Sequence, residues 1–423
     1  MRWYRYGWVF LLALALSIAC SDGPGSNLNN TTDNKDSGTS TLPDTNTNGP
    51  EPTVGPEPTV GPEAGPEPTQ PDTNTSGPEP GPEPTFGPEP VDPPDTNTNG
   101  PEPGPEPGPE AAPEAGPEPP PGPKGIRFIL MGDTGTGSTK QKAVAQAIKR
   151  KCDAEAKPGG LGPCDFGILL GDNFYDVGVS SASDPQFKTK FSDMYSMLKF
   201  PFYITIGNHD YGVDKIGGIG AGFHKFKYYA DYAKKNPQFV FPNKYFAFKK
   251  GNATFVSLNT CEIFFDGLPG VDVKAQKKFV QQELAKAKQN KSVWTFSFGH
   301  HPYISNGTHG NAGTYEGIPF IPFVSGDAVK KFMESEICGK FDFYFAGHDH
   351  NMQLLKTKCN TNFLVHGAGA KTKKAGSTKR NPVWFQNYKD TGFAFIHIDG
   401  RTMTIQFYTA TSQAPVFTKV YTK

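Results

Sequence analysis

The chain has 423 residues with 41 prolines and 48 glycines, and 29 of those prolines fall within residues 21–123. A stretch more than a quarter proline and almost without Ile, Leu or Phe cannot bury enough apolar area to offset its ordering entropy. That excludes two globular domains and leaves one domain at 124–423 behind a disordered Pro/Gly/Glu-rich linker at 20–123. The net charge of zero is a balance of opposites. Residues 21–123 carry 19 acids against the single base Lys35, whereas 124–423 carry 39 bases against 23 acids. Such an excess attracts anionic substrates or surfaces in a salt-dependent way, and it equally describes a solvated lysine-rich surface.

At the N-terminus, Arg2 and Arg5 precede a largely apolar run at 9–19 that ends Ser17-Ile18-Ala19-Cys20. As a helix this run spans about 16 Å, against about 30 Å for a bilayer core, so 1–19 is expected to be a signal peptide. A small residue before Cys20 resembles the lipobox of bacterial lipoproteins, which implies lipidation of Cys20 and a membrane anchor. Ser17 departs from the aliphatic residue usual there, and ordinary cleavage with secretion is the alternative. Ser21 does not resemble an inner-membrane retention signal, so the outer membrane or cell surface is expected before the periplasm. Within the linker, Asp-Thr-Asn-Thr recurs at 44–47, 72–75 and 95–98 with Gly-Pro-Glu-Pro units between. Proline at this density favours polyproline II and the glutamates repel one another, which suits a spacer. A repeat with no specific partner fits the same residues.

From residue 124 the pattern changes to alternating elements. A strand is expected at 126–131, a helix at 140–151, a strand at 166–170, a helix at 187–198 and a strand at 202–206. This alternation implies a parallel sheet with crossover helices. Further strands are expected at 253–259, 292–299, 341–346 and 352–357, with helices near 273–288 and 327–336. The tail (393–398, 402–408, 416–421) reads as antiparallel strands, giving an α/β architecture with two sheets. Five cysteines follow Cys20, and in an exported protein they are expected to pair. Cys152 and Cys164 would clip one crossover; Cys338 and Cys359 lie just outside the arms of an expected hairpin. Cys261 is then odd, a buried thiol or the partner that upsets this pairing.

Several apolar strands end in glycine followed by groups that bind hard cations. They read Gly132-Asp133, Gly171-Asp172-Asn173-Phe174-Tyr175, Gly207-Asn208-His209-Asp210, Gly299-His300-His301 and Gly347-His348-Asp349-His350. The C-terminal strand ends of a parallel sheet form one rim where ligands bind. Glycine before each group lets the backbone turn and approach closely. A lone Gly-Asp is usually a turn or a helix cap, and a lone histidine is usually structural. Five such strand ends together point to a dinuclear metal centre.

These motifs resemble the metallophosphoesterases, and Tyr175 in the second is similar to the purple acid phosphatases, particularly the tartrate-resistant type. The resemblance spans residues 125–423 and implies a four-layer α/β/β/α sandwich of two mixed β-sheets. It implies that Asp133, Asp172, Tyr175 and His350 hold Fe(III). Asp172 would bridge to a second metal, Fe(II), Zn(II) or Mn(II), held by Asn208, His300 and His348. Phenolate and carboxylates suit a trivalent ion, imidazoles and an amide a divalent one. The implied reaction is hydrolysis of phosphate monoesters by attack of a metal-bound hydroxide. His209 would lie beside the phosphate and protonate the leaving alkoxide, and His309 matches another histidine of the tartrate-resistant site. His301 stands where that type has tyrosine, and 211–243 is longer than the matching loop, either a specificity lid or a solvated insertion. Lys371, Lys373 and Lys374 are placed near the rim without a role. Alternatives are a phosphodiesterase or nucleotidase with the same centre, or a surface-displayed binding protein on this scaffold. No nucleic-acid module is present in the sequence, and a monomer is expected.

Overall fold

The computed structural model describes residues 125–212 and 222–423, and these form one compact unit. The expected signal peptide, Cys20 and the linker lie outside the described residues. In chain order the strands begin with β1 (Ile126–Met131), β2 (Phe166–Leu170), β3 (Phe202–Thr205) and β4 (Phe239–Val240). Next come β5 (Phe246–Lys250), β6 (Ala253–Ser257), β7 (Trp294–Phe298), β8 (Phe343–Ala346) and β9 (Met352–Leu355). β10 (Asn362–His366), β11 (Val383–Asn387), β12 (Gly392–Asp399), β13 (Thr402–Thr409) and β14 (Phe417–Thr422) complete the set.

The strands form two seven-stranded mixed sheets, ordered β14-β13-β12-β1-β2-β3-β4 and β11-β9-β10-β8-β7-β6-β5. In the first, β1 to β4 run parallel and the tail returns antiparallel along β1. In the second, β6, β7, β8 and β10 are parallel. All six residues of β1 and all five of β2 are buried, as strands covered on both faces must be. Alternation along the strand divides them between two cores. Phe128 faces the other sheet, its ring 5.4 Å from Phe255 and 6.2 Å from Phe296. Ile129 and Met131 face outward to Val144, Ala147 and Ile148 of the helix Thr139–Glu155. That helix begins where the Ser138 hydroxyl accepts the Gln141 N–H. On the far side the helix Val273–Gln289 starts at Asp272, whose carboxylate accepts the Ala275 N–H at 2.9 Å. The layers are therefore helix, sheet, sheet, helix.

One expectation is corrected. Residues 343–346 and 352–355 are not a hairpin, because β10 lies between β8 and β9. The segment joining them turns away into the site described below, and β10 takes the place beside β8 in parallel register, Asn362 opposite Phe343. The helix expected over 187–198 runs without a break over 187–195, a π-helical Phe187–Ser192 passing directly into the α-helical Asp193–Tyr195. Disulfides join Cys152 to Cys164 and Cys338 to Cys359, and Cys261 is buried outside both. Part of the long 211–243 stretch is regular structure: the helix Phe226–Ala233 buries Tyr229 and leads into β4.

His366 on β10 is buried, its ring parallel to Phe407 at 6.2 Å, and burial pushes its pKa down to about 3. The unfolded chain takes up this proton near pH 6.5 and the folded chain does not, so stability falls as pH drops from about 6.5 towards 3. His366→Phe should therefore reduce the stability lost between pH 7 and pH 4.5 by roughly 2–3 kcal/mol. Denaturant unfolding at the two pH values measures this; equal losses in both proteins would refute it.

Candidate metal centre

The rim is built where chain segments leave five strands. Asp133 follows β1, Asp172 and Tyr175 follow β2, Asn208 and His209 follow β3, His300 follows β7, and His348 and His350 follow β8. Both sheets contribute, since His300 Nδ1 donates to the Leu170 carbonyl at 2.9 Å and Gly347 N–H to the His300 carbonyl at 3.0 Å. The local backbone is tight. Asp133, Asp172 and His348 take φ of 58°, 53° and 68°, a region that side-chain-bearing residues seldom occupy. The glycines permit close approach more than they supply the turn. A Cβ on Gly207 would fall 2.1 Å from Asp172 Oδ1, and one on Gly171 (φ +90°) would fall 2.5 Å from His300 Nδ1.

The seven side chains sort into two adjoining groups. In the first, Tyr175 Oη lies 3.0 Å from Asp133 Oδ1, 3.0 Å from Asp172 Oδ2 and 3.1 Å from His350 Nε2. His350 Nε2 is also 3.2 Å from Asp133 Oδ1. In the second, His300 Nε2 lies 2.9 Å from Asn208 Oδ1, 3.1 Å from His348 Nδ1 and 3.4 Å from Asp172 Oδ1. Asp172 thus offers one oxygen to each group. Ligand atoms of Asp133, Asp172 and His350 all lie within 4.8 Å of one another.

Proton accounting shows what this arrangement suits. His300 Nδ1 keeps its hydrogen on the Leu170 carbonyl, so Nε2 is the ring atom that faces the group and offers a lone pair once a cation displaces its proton. The Asn208 and Asp172 oxygens facing it present lone pairs too, and His348 Nδ1 completes a group of four atoms that can each ligate. Asn208 Nδ2 is buried with no hydrogen-bond partner among the described residues, so its amide is turned to aim the oxygen at the group. In the first group a phenol oxygen, two carboxyl groups and an imidazole nitrogen converge on one another. Oxygen and nitrogen atoms converging this closely fit cations, and the donor types fit one hard and one softer ion.

The electrostatics agree. Burial pushes Asp133 up to about 8; His300 opposes the shift and Asp172 adds to it. Burial also works against ionised Asp172, but His300 and His209 outweigh it and hold this carboxyl below its usual range. His348 and His301 are pushed far down, first by burial and then by neighbouring histidines.

Around the groups, His209 N–H donates to Asp172 Oδ1 at 3.0 Å and its ring lies 4.5 Å from that of Tyr175. The His309 ring packs on His348 at 4.1 Å, and its Nδ1 bonds the Glu316 carboxylate. Burial opposes the charged form of His309, yet Glu316 and Asp349 raise its pKa overall. His301 stacks on Phe264 and bonds the Thr260 hydroxyl at 3.0 Å. Lys371 places its ammonium 3.4 Å from the Tyr175 ring centroid, Lys373 N–H donates to the His350 carbonyl at 3.0 Å, and Lys374 is exposed. Sequence reading gave no role to Glu316, Lys190 or Lys225, since a lysine or glutamate on a short helical segment carries no local signal. Asp210 stood inside a quoted motif, and its carboxylate gathers the N–H groups of Gly207, Asn173 and Phe174.

Residues 126–352 match the calcineurin-like phosphoesterase family. The chain belongs to that family. Among relatives of this phosphoesterase, purple acid phosphatase 7 of Arabidopsis thaliana is 27% identical over 292 residues, covering 64% of this chain and 79% of the relative. Human tartrate-resistant acid phosphatase type 5 is 26% identical over 322 residues, covering 68% and 89%. A solved Plasmodium structure, GAP50, the anchor in the inner membrane complex, superposes with TM-score 0.55 at 18% identity, over 71% of this chain and 89% of that one. That likeness is one of fold. The family implies a dinuclear metal centre, and the donor set fits one.

Proposed function

We propose that this phosphoesterase is an acid phosphatase that hydrolyses phosphate monoesters at a dinuclear Fe(III)–M(II) centre, with M iron, zinc or manganese. Asp133, Asp172, Tyr175 and His350 would hold the ferric ion, and Asn208, His300 and His348 the divalent one. The observation that carries this is Asp172, whose two oxygens face the two groups separately. When bound, such a pair supplies Lewis-acid neutralisation of the phosphate and acidification of water. The protein's own contribution is placement and proton transfer. His209 donates Nδ1–H to the Asp176 carbonyl at 2.7 Å, which orients the ring so that, in its doubly protonated form, the Nε2–H passes to the leaving alkoxide and the neutral Nδ1–H ring remains. Glu316 holds His309 against His348, so that His309 presents its imidazolium to the anionic substrate. The basic excess of 124–423 favours the approach of phosphate esters.

Export and a lipid anchor at Cys20 belong to the same proposal. Two disulfides suit an oxidising compartment, and no helix of the described residues is long and apolar enough to cross a membrane. The test uses the full chain. It should fractionate with membranes, carry two metals including one iron, absorb visibly through Tyr175, and cleave an aryl phosphate fastest at acidic pH. A metal-loaded chain that cleaves only diesters, or no ester, would exclude the monoesterase reading.

A further inference from the structure

Tyr175 sits in a segment outside helix and sheet, so its carbonyls need partners from elsewhere. Four consecutive ones are each taken by a side chain. The Lys190 ammonium donates to the Tyr175 carbonyl, His209 Nδ1 to that of Asp176, the Lys225 ammonium to that of Val177, and Gln186 Nε2 to that of Gly178 at 3.0 Å. Lys190 Nζ also donates to Gln186 Oε1 at 2.7 Å, which links two of these contacts. The segment has no room to drift inward, since a Cβ on Gly178 would fall 1.9 Å from the Asp210 carbonyl.

Water or an amide could satisfy a carbonyl without taking an ammonium out of solvent, which is costly. Here Lys225 is 5% exposed and Lys190 is partly buried. Burial lowers the pKa of both, with Asp176, Asp184 and Asp210 facing Lys190 and Asp184 and Asp210 facing Lys225 in opposition. The two lysines come from separate parts of the chain and grip carbonyls on either side of the one that His209 holds. Their contacts therefore set the backbone from which the Tyr175 phenol projects and the carbonyl that orients the His209 ring.

We infer that Lys190 and Lys225 are positioning residues that fix Tyr175 and His209 for phosphoryl transfer. This rests on the reading of the site proposed above. A displacement of about 1 Å at a reacting group can cost a hundredfold in rate. Lys190→Met in the full chain should lower kcat on an aryl phosphate about tenfold to a hundredfold, with KM changed less than about threefold. It should also shift the visible absorption of the iron-loaded protein. In the metal-free chain it should speed amide hydrogen exchange at least about tenfold in peptides covering 174–178, and not in the sheets. Lys225→Met should act in the same direction, and Lys190→Arg should restore most of the kcat.

A Lys190→Met protein with wild-type kcat, absorption and exchange, or with only a lower Tm, would overturn the inference. Should Lys190→Met fail to fold, Lys190→Gln keeps a donor of different reach and charge and is judged by the same readouts. The wild type alone decides the phosphatase reading, by its metal content and hydrolysis. If that reading fails, the exchange comparison still decides whether the lysines hold the segment.

Discussion

Asp172→Ala should release both cations together and lower kcat on an aryl phosphate by at least about 10⁴-fold. Its two oxygens serve different neighbours, Oδ2 lying 3.0 Å from Tyr175 Oη and Oδ1 lying 3.4 Å from His300 Nε2. Any other candidate ligand removed singly would leave one group intact. The fold should survive, because the change removes charge from a crowded acidic cluster: Asp172 itself contributes to the upward shift of Asp133. The expected structural loss is the acceptor for His209 N–H, a bond worth about 1–2 kcal/mol. Metal analysis, aryl phosphate kinetics and thermal unfolding on one preparation measure all three quantities. Retention of one full equivalent of metal would contradict the bridging role.

Tyr175→Phe should abolish the visible absorption of the iron-loaded protein while leaving the domain folded. The ring itself packs beside His209 at 4.5 Å and under Lys371 at 3.4 Å, and phenylalanine keeps both faces. Only Oη goes, and with it the atom placed among Asp133, Asp172 and His350. The variant should still bind metal through the remaining carboxylates and imidazoles, with affinity lowered on the order of tenfold to a hundredfold. Absorbance scans beside iron analysis separate a lost chromophore from lost iron. An unchanged spectrum at full iron content would remove Tyr175 from the centre.

The convergence of these two residues with Asp133, Asn208, His300, His348 and His350 was legible in the sequence. Each follows an apolar strand and a glycine within a few positions, and a turn at a strand end is dictated by residues adjacent in sequence. The detail differed at the backbone. The left-handed conformation expected of the glycines is taken at Asp133 and His348 by the residue after them, and Gly132 and Gly347 serve close contact instead. His209 and His309 also lie beside the cage, but nothing local disclosed Glu316, which reaches His309 from seven residues downstream.

Strands buried on both faces declared themselves through continuous apolar runs, so β1, β2, β3, β6, β7 and β8 were expected near their observed places. β10 and β11 were not. β10 is five residues long and runs into Gly367, and β11 is a half-exposed edge strand without a clear alternation. The mistaken hairpin came from the same source: pairing partners are chosen across the sheet, and two neighbouring strands give no sign of a third between them.

What the amino-acid sequence alone determined was therefore the chemistry of the rim and the alternating architecture beneath it, because strand, glycine turn and donor are contiguous. The tertiary structure decided which oxygens of Asp172 face which partners, the insertion of β10, and the capture of the Tyr175–Gly178 carbonyls by Lys190, His209, Lys225 and Gln186. Those contacts join residues far apart along the chain. Their energy comes from satisfying buried polar groups in three dimensions, for which a one-dimensional pattern holds no signal.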